Sequence, residues 1–330
     1  MATDTTAGLG WRLVFLAACV PPVGSLLAKS YGLLPMRTGV LAMGLPATAM
    51  LLAGWYWARR AGRDGLADAL AIGAWGGLLG TFAYDVARFP FWMYGTRVYG
   101  TIGVFGVWLL EAETSSRFTE VTGWLYHFWN GITFGIMYAL VARGRHWTWG
   151  VAWGCVLETI MLVSPLGTIF HMTGDFRFVG IAYVGHVFYG ATLGRLVQRW
   201  GETRAALGAM PDSVRWALAA VACVLAAWPL LSVDNRRQDA AVVPSEFRVD
   251  GMALRPDWLR IQRGGEIRVH NPGAQAISVF DSLGGRFVKV PGGEKRALRF
   301  PATGIHQLYM KTDWRTRSSF VIVEPVEELR

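Results

Sequence analysis

Apolar stretches long enough to cross a bilayer follow one another through the first 233 residues, and the pattern then changes to short alternating runs. Seven stretches approach the roughly 20 apolar residues that a membrane helix needs. They lie near 11–29, 38–58, 66–86, 123–142, 147–165, 179–198 and 213–232. Between the third and fourth runs an aromatic segment, 87–122, carries Phe89, Phe91, Trp92, Tyr94, Tyr99, Phe105 and Trp108. Its Gly103–Leu110 part is apolar but too short to span. It reads as an interfacial or re-entrant element, or as a cap over a site. After the polar stretch 234–244, eight short segments alternate as strands do, from Phe247-Arg-Val to Ser319-Phe-Val-Ile-Val, and Gly or Pro separates them. That pattern predicts an all-β sandwich over 245–330.

The predicted protein is therefore mostly α and membrane-embedded, with residues 1–233 as a seven-helix domain, 234–244 as a linker and 245–330 as a β domain. A hydrophobic share of 53% against 17% charged fits a multi-pass membrane protein and not a soluble one. Arginine placement orients it. Arg59, Arg60 and Arg63 follow the second span, Arg143 and Arg145 the fourth, and Arg195, Arg199 and Arg204 the sixth. Placing these inside puts the N-terminus in the cytoplasm and the β domain on the extracytoplasmic, periplasmic side of the cell membrane. The net charge of +9 then speaks of topology and lipid contact, and not of nucleic acid. The partners implied are membrane lipids and other membrane subunits. Cys19, Cys155 and Cys223 all lie in apolar stretches, so no disulfide framework is expected.

Candidate chemistry comes from a repeat. His127-Phe-Trp-Asn-Gly131-Ile-Thr133-Phe-Gly135 and His186-Val-Phe-Tyr-Gly190-Ala-Thr192-Leu-Gly194 agree at His, Gly, Thr and Gly with identical spacing. A second echo sets Ala74-Trp75-Gly76 beside Ala152-Trp153-Gly154, so spans three and four resemble spans five and six as two helical hairpins. Ionisable residues inside membrane helices are costly and usually functional. Helical rise brings Asp85, His127, Glu158 and His186 to the outer half of one bundle, with His171 and Asp175 in the short loop between spans five and six. His127, Glu158, His171 and His186 are candidate ligands for a divalent zinc, iron, copper or manganese ion. Asp85 and Asp175 are candidates for acid–base or orienting roles. The same residues also suit a structural polar cluster, in which a carboxylate and an imidazole satisfy each other. The spacing matches no established metal motif. Two functions stay open: a membrane-embedded metalloprotein with an enzymatic or metal-handling role, and a non-catalytic subunit of a larger membrane complex.

Three stretches of the β region carry a family likeness: Gly265-Glu-Ile-Arg-Val-His-Asn271, the Gly293-Glu294 turn before Leu298-Arg-Phe300, and Gly304-Ile-His-Gln-Leu-Tyr309 leading to Phe320-Val-Ile-Val-Glu324. On these, residues 245–325 resemble the cupredoxin family. The resemblance implies a copper-ligand His a few residues after the Asn, where this chain has Ala276-Ile277-Ser278. It also implies a Cys, a second His and a Met between the last two strands, where Met310–Ser319 has neither Cys nor His. The blue-copper ligand set is thus absent, and in the subunit reading the domain serves for docking. His270 and His306 read as strand residues.

Overall fold

The computed structural model describes residues 5–93, 98–170, 172, 176–211, 213–214, 217, 220, 245–251, 253–281, 286–310 and 319–324. It divides into two compact units: Met1–Pro90 with Leu125–Thr168 and Met172–Pro229, and Phe91–Trp124 with Ile169–His171 and Leu230–Arg330.

The first unit is helical. Its elements are α1 (Thr5–Ser30), α2 (Met36–Gly39), a π-helical turn at Val40–Gly44, α3 (Leu45–Arg60), α4 (Asp64–Met93, entering the second unit at Phe91), α6 (Arg117–Ala142, from Leu125 on), α7 (Thr148–Val163), α8 (Pro165–Ile169), α9 (Phe176–Gln198) and α10 (Trp200–Ala209). Among the described residues, three helices are long and apolar enough to cross a membrane: Leu9–Ser30, Met36–Arg60 and Asp64–Met93. Helix α4 runs past the predicted span end at 86, so Asp85 and Arg88 share one continuous helix. The seventh predicted span falls largely, and the 234–244 linker wholly, outside the described residues.

Small residues set the packing. A Cβ on Gly54 would lie inside the ring of Phe15, so α1 and α3 approach face to face. Phe15, Cys19, Leu51, Leu70, Ile136 and Leu140 then form one apolar cluster from α1, α3, α4 and α6. Cys19 and Cys155 are free thiols. Near the start of α4 the buried Asp68 meets Arg59 at 3.4 Å and Arg143 at 3.8 Å, which ties the ends of three helices together. An acidic residue near a helix start is ordinary, so the sequence alone does not single out Asp68.

The second unit is a two-sheet β-sandwich with a helical flank. Its strands are β1 (Glu246–Asp250), β2 (Ala253–Arg255), β3 (Trp258–Gln262), β4 (Glu266–His270), β5 (Ile277–Asp281), β6 (Arg286–Val290), β7 (Lys295–Arg299), β8 (Gly304–Met310) and β9 (Ser319–Glu324). One sheet runs β2-β1-β4-β7, the other β3-β9-β8-β5-β6. All eight predicted strands form, and β2 is added. Alternation decides which residues face inward. In β4, Ile267 and Val269 are fully buried between Glu266, Arg268 and His270. Each such side chain contributes about 1.5–3 kcal/mol of burial. The Asn271 amide pins the turns at one end: it donates to the carbonyls of Gln275, Val290 and Pro291, and its Oδ1 accepts from Gly273 N–H.

The aromatic 87–122 segment departs from expectation. Its helix α5 (Gly100–Leu110) is packed inside the second unit, with Ile102, Val104, Phe105, Val107 and Trp108 buried. Gly106 and Gly123 permit this, since a Cβ on either would meet backbone at 1.7 and 2.1 Å. The Trp108 indole N–H donates to Glu324 at 3.0 Å. Beyond α5 the chain pairs with strand β3: Ser115 N–H donates to Trp258 O, Arg260 N–H to Glu113 O, and Trp258 N–H to Ser115 Oγ. Apolar residues too few to span a membrane here found a protein surface to cover.

Glu120, in the first turn of α6 and ahead of the predicted span, lies by Gly103 and the Trp258 indole. Burial, and then the nearby charge of Asp257, push its carboxyl up to about 7. The folded chain thus holds this proton more tightly than the unfolded one. The resulting stabilisation is complete below the ordinary carboxylate range and is lost as pH rises through about 7. Thermal unfolding is expected at a lower temperature at pH 8 than at pH 6. Glu120→Gln should flatten that slope, for an effect on the order of 1–2 kcal/mol. An unchanged slope in the variant would remove Glu120 as its cause.

Candidate functional site

The glycines of the repeated motif mark helix crossings. A Cβ on Gly77 of α4 would meet Gly131 O of α6 at 2.3 Å, and a Cβ on Gly135 would meet Gly77 Cα at 2.5 Å. In the other hairpin, a Cβ on Gly150 of α7 would meet Gly190 O of α9 at 2.2 Å and Gly194 Cα at 2.7 Å. Gly77 and Gly150 thus meet the partner helix alike, at a glycine carbonyl, although a Cβ on Gly131 would meet the Thr81 hydroxyl where one on Gly190 would meet Gly150 O. This makes Gly77 the counterpart of Gly150, Gly131 of Gly190 and Gly135 of Gly194. The His-Gly-Thr-Gly echo is therefore structural.

The Ala-Trp-Gly echo is not in register with it. That echo set Gly77 against Cys155, whereas the crossings set Gly77 against Gly150. Composition produced the match, as Ala, Trp and Gly are abundant in these helices. Carried along α4 and α7, the crossing register makes Asp85 the counterpart of Glu158, while His127 stays the counterpart of His186.

Each hairpin then builds a carboxylate–imidazole pair. His127 Nε2 lies 3.1 Å from Asp85 Oδ2 and 3.3 Å from Oδ1. His186 Nδ1 lies 3.1 Å from Glu158 Oε2. Tyr84 stands beside both imidazoles, its ring centre 5.8 Å from that of His127 and 4.7 Å from that of His186. Arg88 joins them: its guanidinium lies 3.0 Å from Asp85 and stacks 3.8 Å over the Tyr84 ring. Asp85 and Arg88 are 5% and 4% exposed, and Glu158 is 0% exposed. Asn130, one turn from His127, is buried, and its Oδ1 has no hydrogen-bond partner among the described residues.

The two carboxylates are not equally served. Asp85 has both Arg88 and His127. Among the described residues Glu158 has the ring nitrogen of His186 within ion-pair distance, that nitrogen also lies 3.0 Å from Ala182 O, and the Arg88 guanidinium is near enough to act on Glu158 electrostatically. The hydrogen on Nδ1 points to the carbonyl, so neither Glu158 oxygen has a hydrogen-bond partner among the described residues. The centre thus holds two carboxylates, two imidazoles and one guanidinium, and a buried charge without compensation is costly.

Of the six candidate residues, the structure brings Asp85, His127, Glu158 and His186 together as two pairs about Tyr84. His171 and Asp175 lie outside the described residues. Among the described residues no three His, Cys, Asp or Glu side chains gather closely enough to hold a metal ion by themselves. Tyr84 was missed by sequence reading. It looks like ordinary span aromatic, and only its neighbours on two other helices give it a place.

In the sandwich, His306 and His270 are strand residues. His306 is buried, with Nδ1 2.9 Å from Asp281 and Nε2 3.1 Å from Ala302 O. Both ring nitrogens are engaged within the fold, one with the Asp281 carboxylate and one with a backbone carbonyl. His270 pairs with Glu246, which also takes Lys295 at 2.8 Å. Together with the lack of any Cys after Cys223, this donor set does not fit blue copper.

No protein-family model matches the chain, and no curated protein matches it. Among solved structures it is similar to an amicyanin mutant in its reduced Cu(I) form at pH 4, with 18% identity, 26% of this chain and 87% of that one covered, and a TM-score of 0.22. A second reduced amicyanin mutant gives 20% identity, 26% and 84% coverage, and a TM-score of 0.22. A purple cupredoxin from Nitrosopumilus maritimus gives 16% identity, 24% and 98% coverage, and a TM-score of 0.20.

Proposed function

We propose that this chain is a seven-span integral membrane protein that holds one divalent transition-metal ion at the Glu158·His186 pair. The metal serves a membrane-embedded catalytic or metal-handling role on the extracytoplasmic side. One observation carries the reading: a fully buried carboxylate whose two oxygens receive no hydrogen bond. Buried charges are paired or coordinate metals. Nδ1 of His186 lies 3.1 Å from Glu158 Oε2, so one ion would take both atoms as donors once Nδ1 gives up its contact with Ala182 O. Glu158 and His186 supply two donors. Water, substrate or His127 would complete the shell of a site that keeps an open position. Asp85, held by Arg88 and His127, suits an orienting or acid–base role.

The test is elemental analysis of detergent-purified full-length protein. About one zinc, iron, copper or manganese per chain is expected. It should be absent from Glu158→Gln and from the His127→Ala/His186→Ala double variant, with size-exclusion profiles unchanged. A metal-free wild type after reconstitution would overturn the metal-site reading. The second reading, a non-catalytic subunit, rests on the sandwich, where the donor set excludes blue copper and leaves docking as its use. It would then gain from co-purifying membrane subunits.

A further inference from the structure

A groove of about 290 Å³ opens between α3, α4 and α6, away from the histidine pairs. Exposed Leu52, Trp55 and Trp75 and the half-buried Ala71, Ala74 and Ile132 line it. A site so apolar offers a water molecule too few polar partners to hold it. Its volume is at the small end of the roughly 300–1,000 Å³ of ligand pockets and suits a length of one hydrocarbon chain. One end of the groove is charged. Within one or two turns, and toward the same end of the bundle, each helix becomes polar: Trp55 leads on to Arg59, Ala71 back to Asp68, and Ile136 on to Arg143. Arg59 lies 3.4 Å from Asp68 and 3.7 Å from Asp64, and Arg143 lies 3.8 Å from Asp68 and donates to Gly65 O. Beside them the Arg60 guanidinium lies 5.2 Å over Tyr56 and that of Arg63 5.1 Å over Trp57. In the stretches 59–68 and 143–146, five arginines meet two aspartates, an excess of positive charge.

We propose that this groove holds one acyl chain of an anionic phospholipid, whose phosphate lies at the arginine-rich end. The proposal is independent of any metal at Glu158·His186. Basic pockets between membrane helices take anionic headgroups, and a guanidinium donates to phosphate through two parallel N–H groups. Arg59 and Arg143 are occupied by Asp64 and Asp68, which leaves the excess charge to Arg60 and Arg63. The aromatic faces of Tyr56 and Trp57 hold these two guanidiniums in place before a lipid arrives, which lowers the cost of ordering them. A zwitterionic lipid fills the groove equally well but leaves that charge unanswered. The chain therefore supplies the seat, and the headgroup supplies the selectivity.

The experiment offers full-length protein in mild detergent either phosphatidylglycerol or phosphatidylcholine with identical chains, and counts retained lipid by native mass spectrometry. Wild type is expected to keep a single phosphatidylglycerol per chain, preferred over phosphatidylcholine by about tenfold or more. Ala71→Phe fills the groove and should lower retention of both lipids by about tenfold, with an unchanged size-exclusion profile. Ala74→Leu takes its place if Ala71→Phe is not monodisperse. Arg60→Gln/Arg63→Gln leaves the groove and the Asp68 ion pairs intact, so it should keep one lipid of either kind with the preference gone. Equal retention of the two lipids by wild type would overturn the proposal. So would wild-type retention in a monodisperse groove-filling variant, or an undiminished preference in Arg60→Gln/Arg63→Gln.

Discussion

Gly190→Leu is expected to abolish the α7–α9 hairpin, with a loss of about 4 kcal/mol or more. A Cβ at this position would sit 2.1 Å from Gly150 O and 2.8 Å from Val151 Cα. Both are backbone atoms, so no rotamer change relieves the clash and the helices must separate. Separation removes the Glu158·His186 pair along with the packing. Gly77→Leu should act alike in the other hairpin, since its Cβ would meet Gly131 O at 2.3 Å. Gly180→Ala, on the same α9 helix, has open space around it and should remain within about 1 kcal/mol of wild type. Thermal unfolding and size exclusion in detergent would read all three. A stable, monodisperse Gly190→Leu protein would contradict the crossing geometry and the duplication argued from it.

The second large effect is an inequality between the two histidines. His186→Leu removes the one ring within ion-pair distance of Glu158, a carboxylate buried without a hydrogen bond. Stripping a buried charge of its partner costs about 3–5 kcal/mol. His127→Leu leaves Asp85 still held by Arg88, so about 1–2 kcal/mol is expected there. Glu158→Leu combined with His186→Leu should recover much of the loss, because an apolar pair of similar volume avoids the buried charge. Denaturation midpoints in one detergent would compare the four proteins. Equal losses for the two histidines would show that Arg88 does not compensate Asp85.

The parts of this structure that were legible in the sequence are those with a strict period. Alternation in Glu266–His270 can bury only one set of side chains, and the apolar run Ser319–Val323 suits a strand buried on both faces, so the sandwich could be read directly. The His-Gly-Thr-Gly spacing likewise fixed two glycines per helix at the distance that lets backbones touch. The first members of the hairpins had no such constraint. Their register is set by which backbone atom a missing Cβ exposes, and that depends on the partner helix. The Ala-Trp-Gly match therefore misled, and the equivalence of Asp85 and Glu158 was invisible. The pairing of Asp85 with Arg88 was foreseeable from one helical turn of spacing. The stacking of Arg88 on Tyr84, beside both histidines, needed three helices in place. Helix α5 was misread for another reason: eleven apolar residues look alike whether lipid or protein covers them.

The short chain Glu113–Ser115 along strand β3 has a practical consequence. A fragment cut at residue 245 would look like a complete soluble domain, yet it would lack the segment that satisfies Trp258 O and Arg260 N–H. It would also bare the side of the sheet that α5 covers. Such a fragment would present an unpaired, largely apolar strand with Trp258 and Leu259 at its start, ready to zip onto its own copies. Domain-expression work on this protein should therefore keep residues 98–116 joined to the sandwich, as a fusion or a circular permutant, or expect oligomers that the intact chain does not form.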